Sequence, residues 1–341
     1  MKDRWNVAVV GALGMVGTEM IKTLEARNFP VAELRPLDVA ALEGKEVNYC
    51  GRKVPAQVAR EENFAGIDIA IFSAGADASR ALAPLAVRQG AVVVDNSSAW
   101  RMDPAIPLVV PEVNPGDLQW HKGIIANPNC STIQMVVVLK PIHDRARIKR
   151  VVVSTYQAAS GGGKRAYDEL LQQAAEVLAG QEATVDVFVH QLAFNVIPQI
   201  DVFEAGDYTK EEWKMVHETK KIMGDDSIRV TATTVRVPVL YSHSESINVE
   251  TERKLTPQEA RELLSRAPGI TVVDDPANKQ YPMPFDTAHT DATYVGRIRE
   301  DFSIDNGLNL WVVADNIRKG AALNAVQIAE RLVADGLVRV P

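Results

Sequence analysis

Near its start the chain reads Asn6-Val7-Ala8-Val9-Val10, then Gly11-Ala12-Leu13-Gly14-Met15-Val16-Gly17, then a stretch from Thr18 to Ala26 with Met20, Ile21 and Leu24 on one side. A β-branched run, a turn of regularly spaced glycines and an amphipathic segment leave few folds open. The run predicts a strand buried on both faces of a parallel sheet, and the segment after it a helix. Gly11 permits the tight turn, Gly14 lets backbone N–H groups approach a pyrophosphate, and Gly17 lets the helix pack closely on the strand. The spacing is GxxGxxG, a variant of the commoner dinucleotide turn.

The pattern then repeats. Glu33 to Leu37 reads as a second strand ending at Asp38; Ile67 to Phe72 ends in Ser73-Ala74-Gly75, and Ala91 to Val94 ends in Asp95-Asn96-Ser97-Ser98. Ala78 to Gln89 is helical in composition. Small polar residues thus stand at strand C-termini, the edge where open α/β sheets bind ligands. The expectation is an α/β chain with a doubly wound, Rossmann-type nucleotide-binding domain. Asp38 has two readings: a ligand for the ribose hydroxyls of NAD that repels the 2′-phosphate of NADP, or a helix cap or solvated turn residue. The following Val39-Ala40-Ala41-Leu42 offers such a phosphate no cation.

At 341 residues the chain exceeds one ordinary core, so two domains are expected. Hydrophobic and charged fractions of 46% and 24% are those of a soluble globular protein. A formal charge of −7 argues against nucleic acid or anionic membrane as partner. There is no apolar stretch of spanning length and no signal-peptide core ahead of the first strand, so a cytoplasmic protein is expected. Two cysteines exclude a disulfide scaffold, and no metal site is expected. Cys50, in Asn48-Tyr49-Cys50-Gly51, reads as incidental packing.

Cys130 differs. It stands in Asn127-Pro128-Asn129-Cys130-Ser131-Thr132, where a Pro-broken turn meets the apolar run Ile133 to Leu139. Asn129 and Ser131 favour a helix start, and a thiol there meets unpaired N–H groups and the positive end of the macrodipole, which favour thiolate. Downstream, Val151 to Gln157 predicts a strand running into a loop at Ser160-Gly161-Gly162-Gly163. Ala166 to Leu178 predicts a helix with Leu170, Leu171, Ala174 and Val177 along its buried stripe. Strands at Ile228 to Val239 and Ile247 to Thr251, without crossover helices, suggest a largely antiparallel α+β second domain. Arg236 inside an apolar strand needs an anion, either a ligand carboxylate or an internal salt bridge. His243, in Ser242-His243-Ser244-Glu245, is either a surface histidine or the partner of the thiol. A nucleotide fold, a helix-start Cys, a remote His and an inward Arg together describe an aldehyde-oxidising enzyme with a covalent thioester.

Over essentially its whole length the sequence resembles the bacterial branch of the aspartate-β-semialdehyde dehydrogenases. The resemblance rests on Gly11 to Gly17, Asp95 to Arg101, Val109 to Asn114, Asn127 to Thr132, Ser154 to Ala158 and Pro198-Gln199-Ile200-Asp201. It continues through Val235-Arg236-Val237-Pro238-Val239, His243 to Ser246, Val295 to Arg299, Trp311 to Asn316 and Lys319-Gly320-Ala321-Ala322. The resemblance implies reversible, phosphate-dependent oxidation of L-aspartate 4-semialdehyde to 4-aspartyl phosphate, run reductively toward lysine, threonine and methionine. It implies Cys130 as nucleophile, His243 as general acid/base, and Gln157 orienting the acyl intermediate. Arg236 is implied to grip the substrate α-carboxylate and Glu211 its ammonium, with Arg101 and Lys214 as phosphate ligands and Asn129 beside the nucleophile in the substrate site. Without the family, Glu211 and Lys214 read as the solvated face of a helix from Lys210 to Met223. Gly11, Leu13 to Gly17, Asp38, Ser73, Gly75, Ser160, Gly161 and Asn316 are implied cofactor contacts.

Family members that use NADP carry Ser and Arg after the second strand, where this chain has Val39, Ala41 and Leu42 beside Asp38. The resemblance therefore implies NADP while the local chemistry suggests NAD or dual use. It also implies a homodimer, and a last helix from Ala321 to Asp335 returning to the nucleotide domain. The boundaries are then 1–129 with 318–341 for that domain and 130–317 for the catalytic and dimerisation domain. The segment Ala183 to Leu192 lacks the Gly-rich, basic character the family leads one to expect. Competing readings are a neighbouring reductase of N-acetylglutamyl phosphate or glyceraldehyde phosphate type, and a non-enzymatic paralogue.

Overall fold

The buried β-branched runs form sheets as their patterning requires. A computed structural model describes residues 2–340. They divide into two compact units, 2–129 with 321–340, and Cys130–Gly320.

In the first unit β1 (Trp5–Val10), α1 (Met15–Ala26) and β2 (Val31–Asp38) follow one another directly. A hairpin of β3 (Glu46–Tyr49) and β4 (Arg52–Pro55) and the short β5 (Gln57–Val58) come next, then β6 (Ile69–Phe72), α2 (Ala76–Arg88), β7 (Val92–Asp95) and β8 (Ile124–Ala126). The sheet runs β5-β2-β1-β6-β7-β8 and every pairing in it is parallel. All four residues of β6 and of β7 are buried, as strands covered on both faces must be. A C-terminal helix, Leu323–Ala334, lays Val326, Ala329 and Leu332 into the same core as Met20, Ile21 and Leu24 of α1. Each such aliphatic burial is worth about 1.5–3 kcal/mol, so this helix is integral to the sheet's cover. Helix α1 starts at Met15, earlier than expected, because the glycine turn leads straight into it. Cys50 is no packing residue: it is exposed in the β3–β4 turn at φ +50°.

The second unit contains α3 (Cys130–Ala146), β9 (Ile148–Gln157), α4 (Gly163–Leu178), α5 (Lys210–Met223), β10 (Arg229–Arg236) and β11 (His243–Thr251). It continues with α6 (Pro257–Ser265), β12 (Ile270–Val272), β13 (Thr293–Asp301) and β14 (Gly307–Ala314). The sheet order is β10-β9-β11-β14-β13-β12. The three inner pairings are antiparallel, while β10 with β9 and β12 with β13 are parallel. The connection from β9 to β10 contains α4 and α5, the crossover a parallel pair requires, so helices do cross over in this domain. Helix α5 is closed at both ends by a Thr209–Glu212 capping box and by Gly224 in the left-handed conformation. Met135, Val138, Leu139 and Ile142 of α3 share a core with Ile247 and Val249 of β11 and Leu310 and Val312 of β14.

The stripe expected on α4 is corrected. Leu171 is exposed, and the buried face is Ala166, Glu169, Leu170 and Gln173. Its polar members hold the irregular segment after the helix. Glu169 accepts the backbone N–H groups of Asp186, Val187 and Phe188; Gln173 Oε1 accepts those of Leu192 (2.7 Å) and Ala193 (3.1 Å). One turn on, Glu176 accepts the Thr184 N–H at 2.6 Å and its hydroxyl at 2.8 Å. Segment 183–193 therefore needs neither glycines nor basic residues, because a row of side-chain acceptors on α4 satisfies its backbone.

Candidate active site

Strand pairing in the second unit brings the chemistry-bearing residues to one end of its sheet. Gln157 closes β9 and Arg236 closes β10, and the two are register partners. β11 runs antiparallel to β9, pairing Ser244 with Tyr156, so its first residue, His243, lies at that same end. β14 ends there too, with Ala314 opposite His243, and leads to Asn316. Two sequence-level bounds change accordingly: β10 stops at Arg236, and His243 belongs to the strand instead of the turn before it.

His243 is fully buried, which excludes the surface reading. Its Nδ1 accepts the Ala158 N–H at 3.0 Å, so a neutral ring carries its proton on Nε2. Nε2 is buried and has no hydrogen-bond partner. Burial lowers the pKa of this imidazole to about 3, with the Arg236 guanidinium adding to the effect and Glu211 and the Ser242 carbonyl opposing it. The ring is neutral at ordinary pH, and its donor edge is left for something outside the fold's own hydrogen bonds.

Arg236 is also buried, and its Nη1 donates to the Ala158 carbonyl at 2.6 Å. Burial lowers its pKa, opposed by Glu211 and Cys130, so both groups lie within its electrostatic reach. Gly161 is the floor they share. A Cβ there would stand 2.7 Å from Nη1 of Arg236 and 3.0 and 3.1 Å from Cε1 and Nε2 of His243. The first is shorter than side-chain carbons tolerate and the other two are tight, so an added methyl would push the guanidinium end aside and make the imidazole give way.

Glu211 is buried, and Lys214 is mostly so; neither belongs to a solvated helix face. Glu211 accepts Nε2 of Gln157 at 3.2 Å and Nζ of Lys214 at 2.9 Å, and Lys214 also meets Asp201 at 3.1 Å. Burial works against the Lys214 charge, but the two carboxylates prevail and hold its pKa above the ordinary value. Ser160 and Asn316 bond to each other, with the Asn316 amide donating to Ser160 Oγ at 3.0 Å, and Asn316 Oδ1 accepts the Ser242 N–H at 2.9 Å.

Cys130 is the first residue of α3 and is half-buried. Gly320 packs against it: a Cβ at 320 would lie 2.8 Å from the Cys130 Cβ. Sequence reasoning missed Gly320, although it stood in a quoted motif. It also missed Ala158, whose backbone serves both His243 and Arg236 and which no side-chain pattern can mark.

The remaining expected residues belong to the first unit. Arg101 is buried there, donating from Nε to the Asn127 carbonyl and from Nη2 to the Asn96 carbonyl, both at 3.0 Å. Asn129 is buried at the unit's last position. In the glycine turn Gly11 holds φ +76°, and a Cβ on Gly17 would sit 2.0 Å from the Gly11 carbonyl oxygen. Gly14 caps α1 with no side-chain hydrogen bond, and Gly75, just beyond Ser73, caps α2 in the same way. Leu13, Met15 and Val16 line the start of that first helix, whose open N–H groups suit a cofactor's phosphates. Both oxygens of Asp38 are engaged: Oδ2 accepts the Leu13 N–H and Oδ1 the Val39 N–H, each at 2.9 Å. It is thus a brace for the glycine turn. Among the described residues no cluster of His, Cys, Asp and Glu could hold a metal ion, and no helix is long and apolar enough to cross a membrane.

Comparison with known proteins agrees with this architecture. Residues 6–121 match the family model "Semialdehyde dehydrogenase, NAD binding domain", and residues 139–319 match "Semialdehyde dehydrogenase, dimerisation domain". An aspartate-semialdehyde dehydrogenase of Aquifex aeolicus is 56% identical, covering 98% of this chain and 99% of its own. One from Bacillus subtilis is 50% identical over 96% and 97% of the two chains. The crystal structure of aspartate semialdehyde dehydrogenase II from Vibrio cholerae, complexed with ASA, superposes with a TM-score of 0.96 at 48% identity, covering 98% of this chain and 99% of that one. Matched along its whole length by sequence and by fold, the chain belongs to the aspartate-semialdehyde dehydrogenase family of NAD(P)-dependent oxidoreductases.

Proposed function

We propose that this chain interconverts L-aspartate 4-semialdehyde and 4-aspartyl phosphate through a thioester on Cys130. The observation that carries the reading is the meeting of the His243 donor edge and the Arg236 guanidinium over Gly161, with Cys130 within the guanidinium's field. In the reductive direction the Cys130 thiolate attacks the acyl carbon, a C–S bond forms, the C–O bond to phosphate breaks and inorganic phosphate leaves. The helix N-terminus and Arg236 both favour the charged sulfur this step needs. Arg101 and Lys214 meet the phosphate. The nicotinamide, when bound, supplies the hydride that reduces the thioester. The Nε2–H of neutral His243 donates a hydrogen bond to the carbonyl oxygen as negative charge develops there, and as the C=O re-forms the C–S bond of the tetrahedral thiohemiacetal anion breaks to release aldehyde and thiolate.

Arg236 receives the substrate α-carboxylate bidentately, Glu211 its ammonium, and Gln157, tied to Glu211, orients the acyl group. Asn129 borders the nucleophile in sequence. Gly11, Leu13 to Gly17, Ser73, Gly75, Ser160, Gly161 and Asn316 serve the cofactor. Asp38 and the cation-free Val39 to Leu42 turn favour NAD or dual use over strict NADP. The match to a dimerisation-domain model supports a homodimer, and two cysteines that form no disulfide fit a reducing cytoplasm.

The test is phosphate-dependent cofactor reduction with the semialdehyde, run with NAD and NADP, beside Cys130→Ser. Wild type turns over, and the variant loses about 10³-fold or more in kcat. Equal rates for the two proteins refute covalent catalysis through this thiol.

A further inference from the structure

The sheet face that meets α3 holds a carboxyl that the chemistry above does not use. Glu245 follows His243 by two positions on β11, so both side chains point to the same face. Ile247 and Val249, further along that face, pack on α3. Glu245 is fully buried, and neither of its carboxyl oxygens has a hydrogen-bond partner. Burial raises its pKa, the neighbouring Gln134 side chain opposes that to a smaller extent, and no cation acts on it.

Gln134 lies on α3, also fully buried, and its Nε2 donates to the backbone carbonyl of His243 at 3.3 Å. Its amide oxygen has no partner. An ionised carboxylate only accepts hydrogen bonds, and buried without donors it has nothing to replace its water. A protonated carboxyl has one O–H to give. One arrangement satisfies both orphaned groups: Glu245 donates to the Gln134 amide oxygen, leaving the Gln134 N–H directed at His243.

We propose that Glu245 is a positioning residue, held as a neutral carboxylic acid, which fixes the Gln134 amide and through it the main chain that carries the His243 imidazole. Burial pushes the Glu245 carboxyl well above the usual carboxylate range, in keeping with that protonation. The assignment rests on the reading of His243 given above, but the carboxyl's protonation is measurable without turnover.

Infrared difference spectra of the full-length wild type and Glu245→Gln at neutral pH test it first. A protonated-carboxyl C=O band present in wild type and missing from the variant is expected. In kinetics, Glu245→Leu lowers kcat on the order of tenfold or more, with the semialdehyde KM unchanged within about twofold, because the ring is displaced while substrate contacts remain. Glu245→Gln keeps a donor for Gln134, so it restores kcat and its kcat–pH profile overlays that of wild type. Absence of the infrared band, a shifted pH profile in Glu245→Gln, or equal losses in the two variants overturns the proposal. Should Glu245→Leu not fold, the band and the Gln variant's profile still decide. Activity surviving in Cys130→Ser would sink the thioester reading and leave the infrared result standing by itself.

Discussion

Nδ1 of His243 accepts the Ala158 backbone N–H at 3.0 Å, which commits the ring to a neutral form in the folded protein. The ring's pKa falls from an ordinary 6.5 to about 3 on folding. The unfolded chain therefore takes up a proton at 243 as pH drops below 6.5, while the native state refuses it until about pH 3. Stability is lost on acidification across that window, by up to about 1.4 kcal/mol per pH unit from this group. Urea unfolding of wild type and His243→Gln between pH 7 and 5 checks this: the wild-type slope is expected to be steeper, and parallel slopes would contradict it.

Gly161→Ala is expected to cripple the enzyme without unfolding it. The new methyl reaches 2.7 Å from the Arg236 guanidinium and 3.0 Å from the imidazole, so one or both must move. A displacement of that size at reacting groups costs on the order of 10²-fold in kcat. Gly161 holds no left-handed backbone angle, so circular dichroism and the melting temperature should stay close to wild type.

Arg236→Lys keeps the charge and removes the fork. Nη1 already serves the Ala158 carbonyl at 2.6 Å, and a lysine ammonium cannot hold that carbonyl and a substrate carboxylate in one plane. The expected result is a fall in kcat/KM of about 10²-fold or more, carried chiefly by KM. A variant with wild-type KM would show that the α-carboxylate is bound elsewhere.

Asp38→Ser removes the carboxylate that braces Leu13 and Val39 and leaves a small neutral group. The ratio of kcat/KM for NADP to that for NAD is expected to rise about tenfold, because repulsion of the 2′-phosphate is gone. An unchanged ratio would reduce Asp38 to its bracing role.

The parts of this protein that were legible in sequence are those in which side-chain type alone dictates conformation. Gly11 and Gly17 announced a tight strand-to-helix turn because a Cβ at either would strike neighbouring backbone, and Cys130 announced itself by the helix start around it. Arg236 was conspicuous because a guanidinium in an apolar strand demands an anion. What escaped was set by the tertiary fold. The Ala158 backbone carries no sequence signal, and the α4 stripe was misread because Glu169 and Gln173 are buried by the loop they hold. Glu211 looked solvated because helical spacing does not reveal that Gln157 and Lys214 enclose it. Glu245 carried a usable signal, a carboxyl in phase with a buried histidine on one strand.

The C-terminal helix has a consequence for biogenesis. Leu323–Ala334 completes the core around β1 and α1, so the parallel sheet must wait for a helix that follows the whole second unit in sequence before it is covered. A nascent chain thus emerges with an unfinished nucleotide fold while the second unit is being made. Removing that helix is therefore an attack on the core of the first unit, however far it stands from β1 and α1 in sequence.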